Sequence, residues 1–211
     1  MSNHDVCALS AQVCSLAEER PSKPTLPDFP RVRAGTQLES LFANPQAEGG
    51  GYGIRNPDAS GLPVATVFFD TQCPWGSRLW QAVQPFLDQI DFIFYPVAVL
   101  RCASIGQGSA LLAAETPWAA LKQHFETFDS EKPHNGGIEP AGIELPEEYR
   151  EQVWVNSRTF RRAGGTEVPL GVFLNDAGRY LPIVQGNTTE ELAEVFKHVA
   201  VADLTDLNRL L

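Results

Sequence analysis

The chain has 211 residues, 43% of them hydrophobic and 20% charged, with a formal net charge of -10 and a pI near 4.8. That size and mix suit one domain with an extension, or at most two small domains, able to form a core without staples. The acidic balance argues against a nucleic-acid partner, which needs a basic face, and no apolar run is long enough for a transmembrane helix.

The first residues, MSNHDVCALSAQVCSLAEERP, lack a basic segment followed by an unbroken apolar one, so they do not read as a secretory signal. Val6, Leu9, Val13 and Leu16 form one helical stripe across residues 5–19. The segment 21–30 (PSKPTLPDFP) then carries four prolines, which remove backbone donors and break any regular element. Residues 37–44 suit a short helix, and Gly49 to Gly53 is a glycine-rich stretch. Residues 1–60 thus read as an irregular N-terminal extension with short helices, and 61–211 as the main domain.

From Leu62 the pattern changes. Val64 to Asp70 (VATVFFD) is a short β-branched and aromatic run, expected to be a buried strand. It leads straight into Thr71-Gln72-Cys73-Pro74-Trp75-Gly76 and then a helix with Leu79, Val83, Phe86, Leu87 and Ile90 inward, kinked at Pro85. Phe92 to Leu100 (FIFYPVAVL) is a second buried run, so the three elements predict a βαβ unit with parallel strands.

A helical insertion is expected over about 103–165. Its helices are Ser109–Glu115, one capped by Thr116 with Pro117 first and Trp118, Leu121 and Phe125 inward, and one from Pro146 through Val153 and Phe160 to Gly164-Gly165. The segment 129–142 between them reads as a surface loop. Leu170–Leu174 and Tyr180–Val184 predict a hairpin around Asn175-Asp176-Ala177-Gly178-Arg179. Thr188 and Glu191 form a capping box for a last helix that buries Leu192, Val195, Phe196 and Val199. The class is α/β, in the order β-α-β, helical insertion, β-β-α.

Cys73-Pro74-Trp75 between a strand and a helix, together with Glu167-Val168-Pro169 leading into the later strand, resembles a thioredoxin-like fold. More closely, 67-VFFDTQCPWGSRLWQAVQPFL-87 and 165-GTEVPLGVFLNDAGRYLPIVQG-186 resemble the DsbG/DsbC family of bacterial disulfide isomerases. The likeness covers about two thirds of the chain and nothing before residue 55. It implies that Cys73 is the nucleophile and that Pro169 is a cis-proline beside it. It also implies a periplasmic location, with the cytosol as the alternative if the start given is the natural one. Two departures stand out. The family's second cysteine falls on Gly76, and its N-terminal dimerisation domain is missing or heavily cut down.

A cysteine where a strand ends and a helix begins meets free N–H groups and the helix dipole, so a favoured thiolate is expected at Cys73. The opposing view is an inert, half-buried cysteine. Without a thiol at 76, Cys73 forms a mixed disulfide but needs an outside thiol to finish, which suits isomerase-like shuffling or exchange with glutathione-like thiols. Cys102 follows the second parallel strand on the same sheet end. It is a possible resolving thiol if the Cα atoms lie within about 7 Å, and otherwise a cysteine with no role. Cys7 and Cys14, seven residues apart, are too distant for an intrahelical disulfide.

Pro74, Trp75, Val168 and Pro169 are the candidate substrate contacts. Trp75 could equally pack on the insertion, and Pro169 could be a plain strand-start proline. Asn187-Thr188-Thr189 fits a glycosylation sequon but is explained as a helix cap. The four histidines are scattered and no cysteine cluster has zinc spacing, so no metal and no cofactor is expected. The glycine-rich stretches lack the frame of a phosphate loop, and no G-x-S-x-G elbow occurs.

Three functions compete. The first is a monothiol thiol-disulfide oxidoreductase or isomerase-like protein acting on disulfide-containing proteins or small thiols. The second is a redox-inactive thioredoxin-fold module that binds peptides or a partner. The third is a purely structural domain whose residue 5–19 stripe docks on a partner.

Overall fold

The computed structural model describes residues 32–47, 52–141, 144–184 and 186–197. Cys7, Cys14, the 5–19 stripe, the 21–30 prolines and Val199 lie outside them. The compact unit begins at Val32. It contains helix α1 (Leu38–Ala47), β1 (Ile54–Arg55), β2 (Val64–Asp70), α2 (Pro74–Val83), β3 (Asp91–Val97), α3 (Ala103–Ala113), α4 (Pro117–Glu126), α5 (Glu147–Arg162), β4 (Leu170–Leu174), β5 (Tyr180–Val184) and α6 (Thr189–Phe196). This is a thioredoxin-like α/β fold.

The five strands form one mixed sheet in the order β1-β3-β2-β4-β5. β2 and β3 run parallel from Val64↔Asp91 to Asp70↔Val97, while β1 on β3, β4 on β2 and β5 on β4 are antiparallel. Side chains alternate across the pleat. Ala65, Val67 and Phe69 of β2, with Phe92 and Phe94 of β3, enter one apolar cluster; Phe68, Ile93, Tyr95 and Val97 enter the other. Both faces are covered, which is why these strands read as unbroken apolar runs.

On the first face, Trp80 of α2 stacks on Phe125 of α4 at 5.2 Å between ring centroids, with Trp118 and Phe94 edge-on at 5.4 and 5.6 Å. On the second, Leu41 of α1 and Phe160 of α5 are fully buried against the sheet. Each such large apolar side chain adds about 1.5–3 kcal/mol.

Local chemistry explains the element ends. Pro74 opens α2 at the position where its missing N–H costs nothing. Pro85 does not kink a longer helix: α2 stops at Val83 and Gln84–Phe86 tightens into a 3-10 turn, because the ring removes a helical donor. α5 carries Glu147 and Glu148 in its first turn and Arg161 and Arg162 in its last, matching the helix dipole. It ends where the N–H of Gly165 donates to the Phe160 carbonyl at 2.9 Å. Before α6, Thr188 and Glu191 satisfy each other's backbone N–H groups as a capping box.

The structure corrects three further expectations. Residues 32–59 do not stand apart from the domain: Leu41, Ile54 and Ala59 are at most 2% exposed, and β1 joins the sheet. The sequence hides this because two residues are too few to show alternation. The first helix of the insertion spans Ala103–Ala113 rather than Ser109–Glu115, since Cys102 and Ala103 start it directly after the β3 loop. Thr116 precedes α4 but its side chain makes no capping hydrogen bond.

Candidate active site

Strand β2 delivers its last residue, Asp70, to the sheet end where β3 also finishes. The carboxylate of Asp70 is fully buried and collects four donors. Oδ1 accepts from the Gln72 N–H at 2.9 Å and the Ser104 hydroxyl at 2.6 Å; Oδ2 accepts from the N–H groups of Val99 and Leu100 at 2.8 and 2.9 Å. Asp70 thereby ties the β2 turn to the loop that leads into α3.

Cys73 occupies the residue before α2, with extended backbone (φ -91°, ψ 118°) and its N–H donating to the Asp70 carbonyl at 3.0 Å. Its side chain is only 6% exposed and packs in the cluster that holds Phe68 and Val168. The Val168–Pro169 peptide bond is cis, and the Cys73 thiol donates to the Val168 carbonyl at 3.2 Å.

The electrostatics of this thiol differ from the expectation of a favoured thiolate. Burial is the largest influence and pushes the Cys73 thiol up from its ordinary value. The N–H groups of Trp75 and Gly76 at the helix start pull it down, and the negative charge of Asp70 pushes it up again. The hydrogen bond to Val168 also favours the protonated form. The sequence shows the helix start but not the depth at which the sulfur sits, so it captured the minor influence and missed the major one.

Trp75 is 38% exposed, and the Arg78 guanidinium lies 4.5 Å above its ring. Pro74 is exposed, and Val168 is buried. Cys102, exposed, precedes α3; it and Cys73 are both free thiols. Its loop is the one Asp70 holds, on the same sheet end as Cys73.

Several residues at this end escaped the sequence reading. Gln72 is buried, and its side-chain amide donates to Gln107 Oε1 and to the His134 carbonyl. Asn135 donates from Nδ2 to the Gln72 carbonyl at 2.9 Å. His124 of α4 is fully buried; its Nδ1 accepts the Ile138 N–H at 3.2 Å, and its Nε2 faces the Thr71 carbonyl without closing a hydrogen bond. Gly137, at φ +74°, passes so close that any Cβ there would strike the His124 ring. The available signals were weak: one acid closing an apolar run, and the Asn135-Gly136-Gly137 triplet inside a polar loop.

Burial pulls His124 down to about 4 from 6.5, so the folded chain holds it neutral while an unfolded chain protonates it between those values. Stability from this group is therefore complete above pH 6.5 and falls by about 3 kcal/mol as pH drops to 4. The expected result is an unfolding midpoint that declines over that window, with His124→Gln flattening the decline. Equal slopes in the two proteins would refute it.

No family model matches the chain. It is 25% identical over 134 residues to the thiol:disulfide interchange protein DsbG of Pseudomonas aeruginosa, a stretch of 63% of this chain and 50% of that protein. The chain thus spans about half the length of this curated relative. A periplasmic thioredoxin-like protein from Salmonella enterica serovar Typhimurium superposes with a TM-score of 0.55 at 18% identity, covering 80% of this chain and 97% of that one. Proteus mirabilis ScsC in a transitional conformation does so with a TM-score of 0.55 at 14% identity, covering 93% and 89%. The class is that of thioredoxin-fold proteins. Within that fold, the sequence is similar to DsbG over these 134 residues.

Proposed function

We propose that the protein is a thiol-disulfide exchange protein in which Cys73 is the attacking thiol and no second cysteine stands in its motif. The observation that carries this reading is the meeting of the Cys73 sulfur at a helix start with the Val168 carbonyl before cis-Pro169. Trp75, half open beside Pro74, and Val168-Pro169 supply the surface on which a peptide disulfide rests. The Cys73 thiolate attacks one sulfur of that disulfide. A new S–S bond joins Cys73 to the substrate, the old S–S bond breaks, and the released thiolate takes a proton. No thiol stands at Gly76 to resolve the adduct. The substrate's own second thiol, a glutathione-like thiol, or Cys102 completes the exchange by attacking the Cys73 sulfur. Shuffling by the substrate's thiol changes no net oxidation state, so isomerisation fits this site better than net oxidation. A periplasmic setting, as in the Salmonella protein, accords with this chemistry.

The test uses the chain with Cys7, Cys14 and Cys102 replaced by serine, incubated with a disulfide-bonded peptide. A one-to-one adduct that is cleaved by reductant and maps to Cys73 is the expected result. No adduct at any pH up to 9 would overturn the reading. Restoring Cys102 alone then shows whether it shortens the adduct's lifetime.

Burial and the raised thiol favour a second reading, a redox-inactive module that holds peptides at the same cis-proline surface. It predicts peptide binding that Cys73→Ala leaves intact.

A further inference from the structure

We infer that Asn135, in the loop between α4 and α5, is a positioning residue for Cys73 that acts through the Gln72 carbonyl; this rests on Cys73 being the reactive group. Residues 134–137 all have positive φ, at 54°, 57°, 64° and 74°. Two of the four are not glycine, and His134 in particular adopts this region at a cost. A side chain from α3 holds the run in place. The Nε2 of Gln107 donates toward the carbonyls of His134, Gly136 and Ile138 at 3.2, 3.0 and 2.7 Å. An amide has two protons, so it is shared among three acceptors. Gln72 Nε2 reaches the same His134 carbonyl at 2.7 Å.

One product of this fastening is the aim of a single side chain. Asn135, 8% exposed, sends Nδ2 to the carbonyl of the residue directly before the thiol. The Gln72–Cys73 peptide is planar, so fixing its oxygen fixes the direction of the Cys73 N–H. That N–H is itself held by the Asp70 carbonyl. The two bonds together set where the sulfur stands relative to the Trp75 and Gly76 N–H groups and the Val168 carbonyl. Were the loop only a plug, its side chain would have no reason to meet this peptide.

The groups near the thiol are Asp70 of β2, which acts on it directly, His124 of α4 at Thr71, His134 at Gln72, and Arg78 of α2 over Trp75. Glu167 adjoins Val168 in the chain.

The test is the pH profile of Cys73 alkylation by iodoacetamide, with the other three cysteines replaced by serine, compared with the same chain carrying Asn135→Gly. Glycine accepts φ +57° freely, so relief of strain offsets part of the lost Nδ2 bond, and a cooperative unfolding transition shows that the variant is folded. Loosening the turn lets water reach the sulfur, so the apparent pKa should fall by about half a unit or more and the rate at pH 7 rise roughly threefold. His134→Gly relieves strain but leaves the Nδ2 bond, and its profile should match the parent. Superposed profiles for Asn135→Gly and parent, or a shift to higher pH, overturn the inference. Alkylation reads the thiol whether or not it exchanges disulfides, so failure of the exchange reading leaves this comparison intact.

Discussion

Gly76→Cys is expected to release substrate from the Cys73 mixed disulfide without any added thiol. The new thiol would stand three residues after Cys73, in the first turn of α2. Its thiolate would attack the Cys73 sulfur, form an internal disulfide and expel the substrate thiol, so the chain would be left oxidised. Making the step intramolecular raises its rate by at least about 100-fold over millimolar external thiol. The site is not wholly ready for the side chain: a Cβ at Gly76 would stand 3.2 Å from Phe125 Cε1. Phe125 belongs to the Trp80 stack, so crowding costs about 1 kcal/mol. Stopped-flow release of a chromophoric thiol from the preformed adduct measures the effect. An adduct as long-lived as the parent's would show that the helix start cannot bring the two sulfurs together.

Asp70→Ala is expected to cost about 3 kcal/mol or more, because four donors lose a buried charged acceptor at once. The loss falls on the Gln72 N–H, the α3 loop and Ser104 together, so both shoulders of the site loosen. Asp70→Asn keeps one acceptor oxygen and should cost about half as much. It also removes a negative charge that pushes the Cys73 thiol up, so the thiol should become more acidic. Denaturant midpoints give the first result and alkylation profiles the second. A cost under about 1 kcal/mol for the alanine variant would mean that water replaces the carboxylate, and that Asp70 does not organise this end of the sheet.

The elements that bury a continuous apolar face were readable from the sequence, and the tertiary supports of the thiol were not. β2 and β3 announce themselves because both of their faces are covered. The 170–174 and 180–184 hairpin announces itself because Asn175 and Gly178 match its turn. β1 could not be read, since its two residues gain their place from pairing with Ile93 and Phe94, forty residues on. The position of Cys73 at a helix start was local and therefore visible. Its depth was not, because Val168 reaches it from 95 residues away. Gln107 and Asn135 stand 35 and 63 residues from Gln72, and an ordinary amide in a helix or a loop carries no mark of what it will meet.

The margins of the sheet carry a consequence for self-association. One outer strand, β5, contains Pro182, which has no N–H to offer a neighbouring chain. On the other side β1 covers only Ile93 and Phe94 of β3, and side chains of α5 finish the border. Asn156 donates to the Pro96 carbonyl at 3.1 Å, and Ser157 accepts the Ala98 N–H at 2.8 Å. Among the described residues, neither border presents a long row of unsatisfied main-chain groups, the template on which sheets from separate molecules fuse and aggregate. If the proposed exchange on disulfide-bearing chains holds, the protein would meet exposed strands constantly, and these borders leave it little to offer them in return.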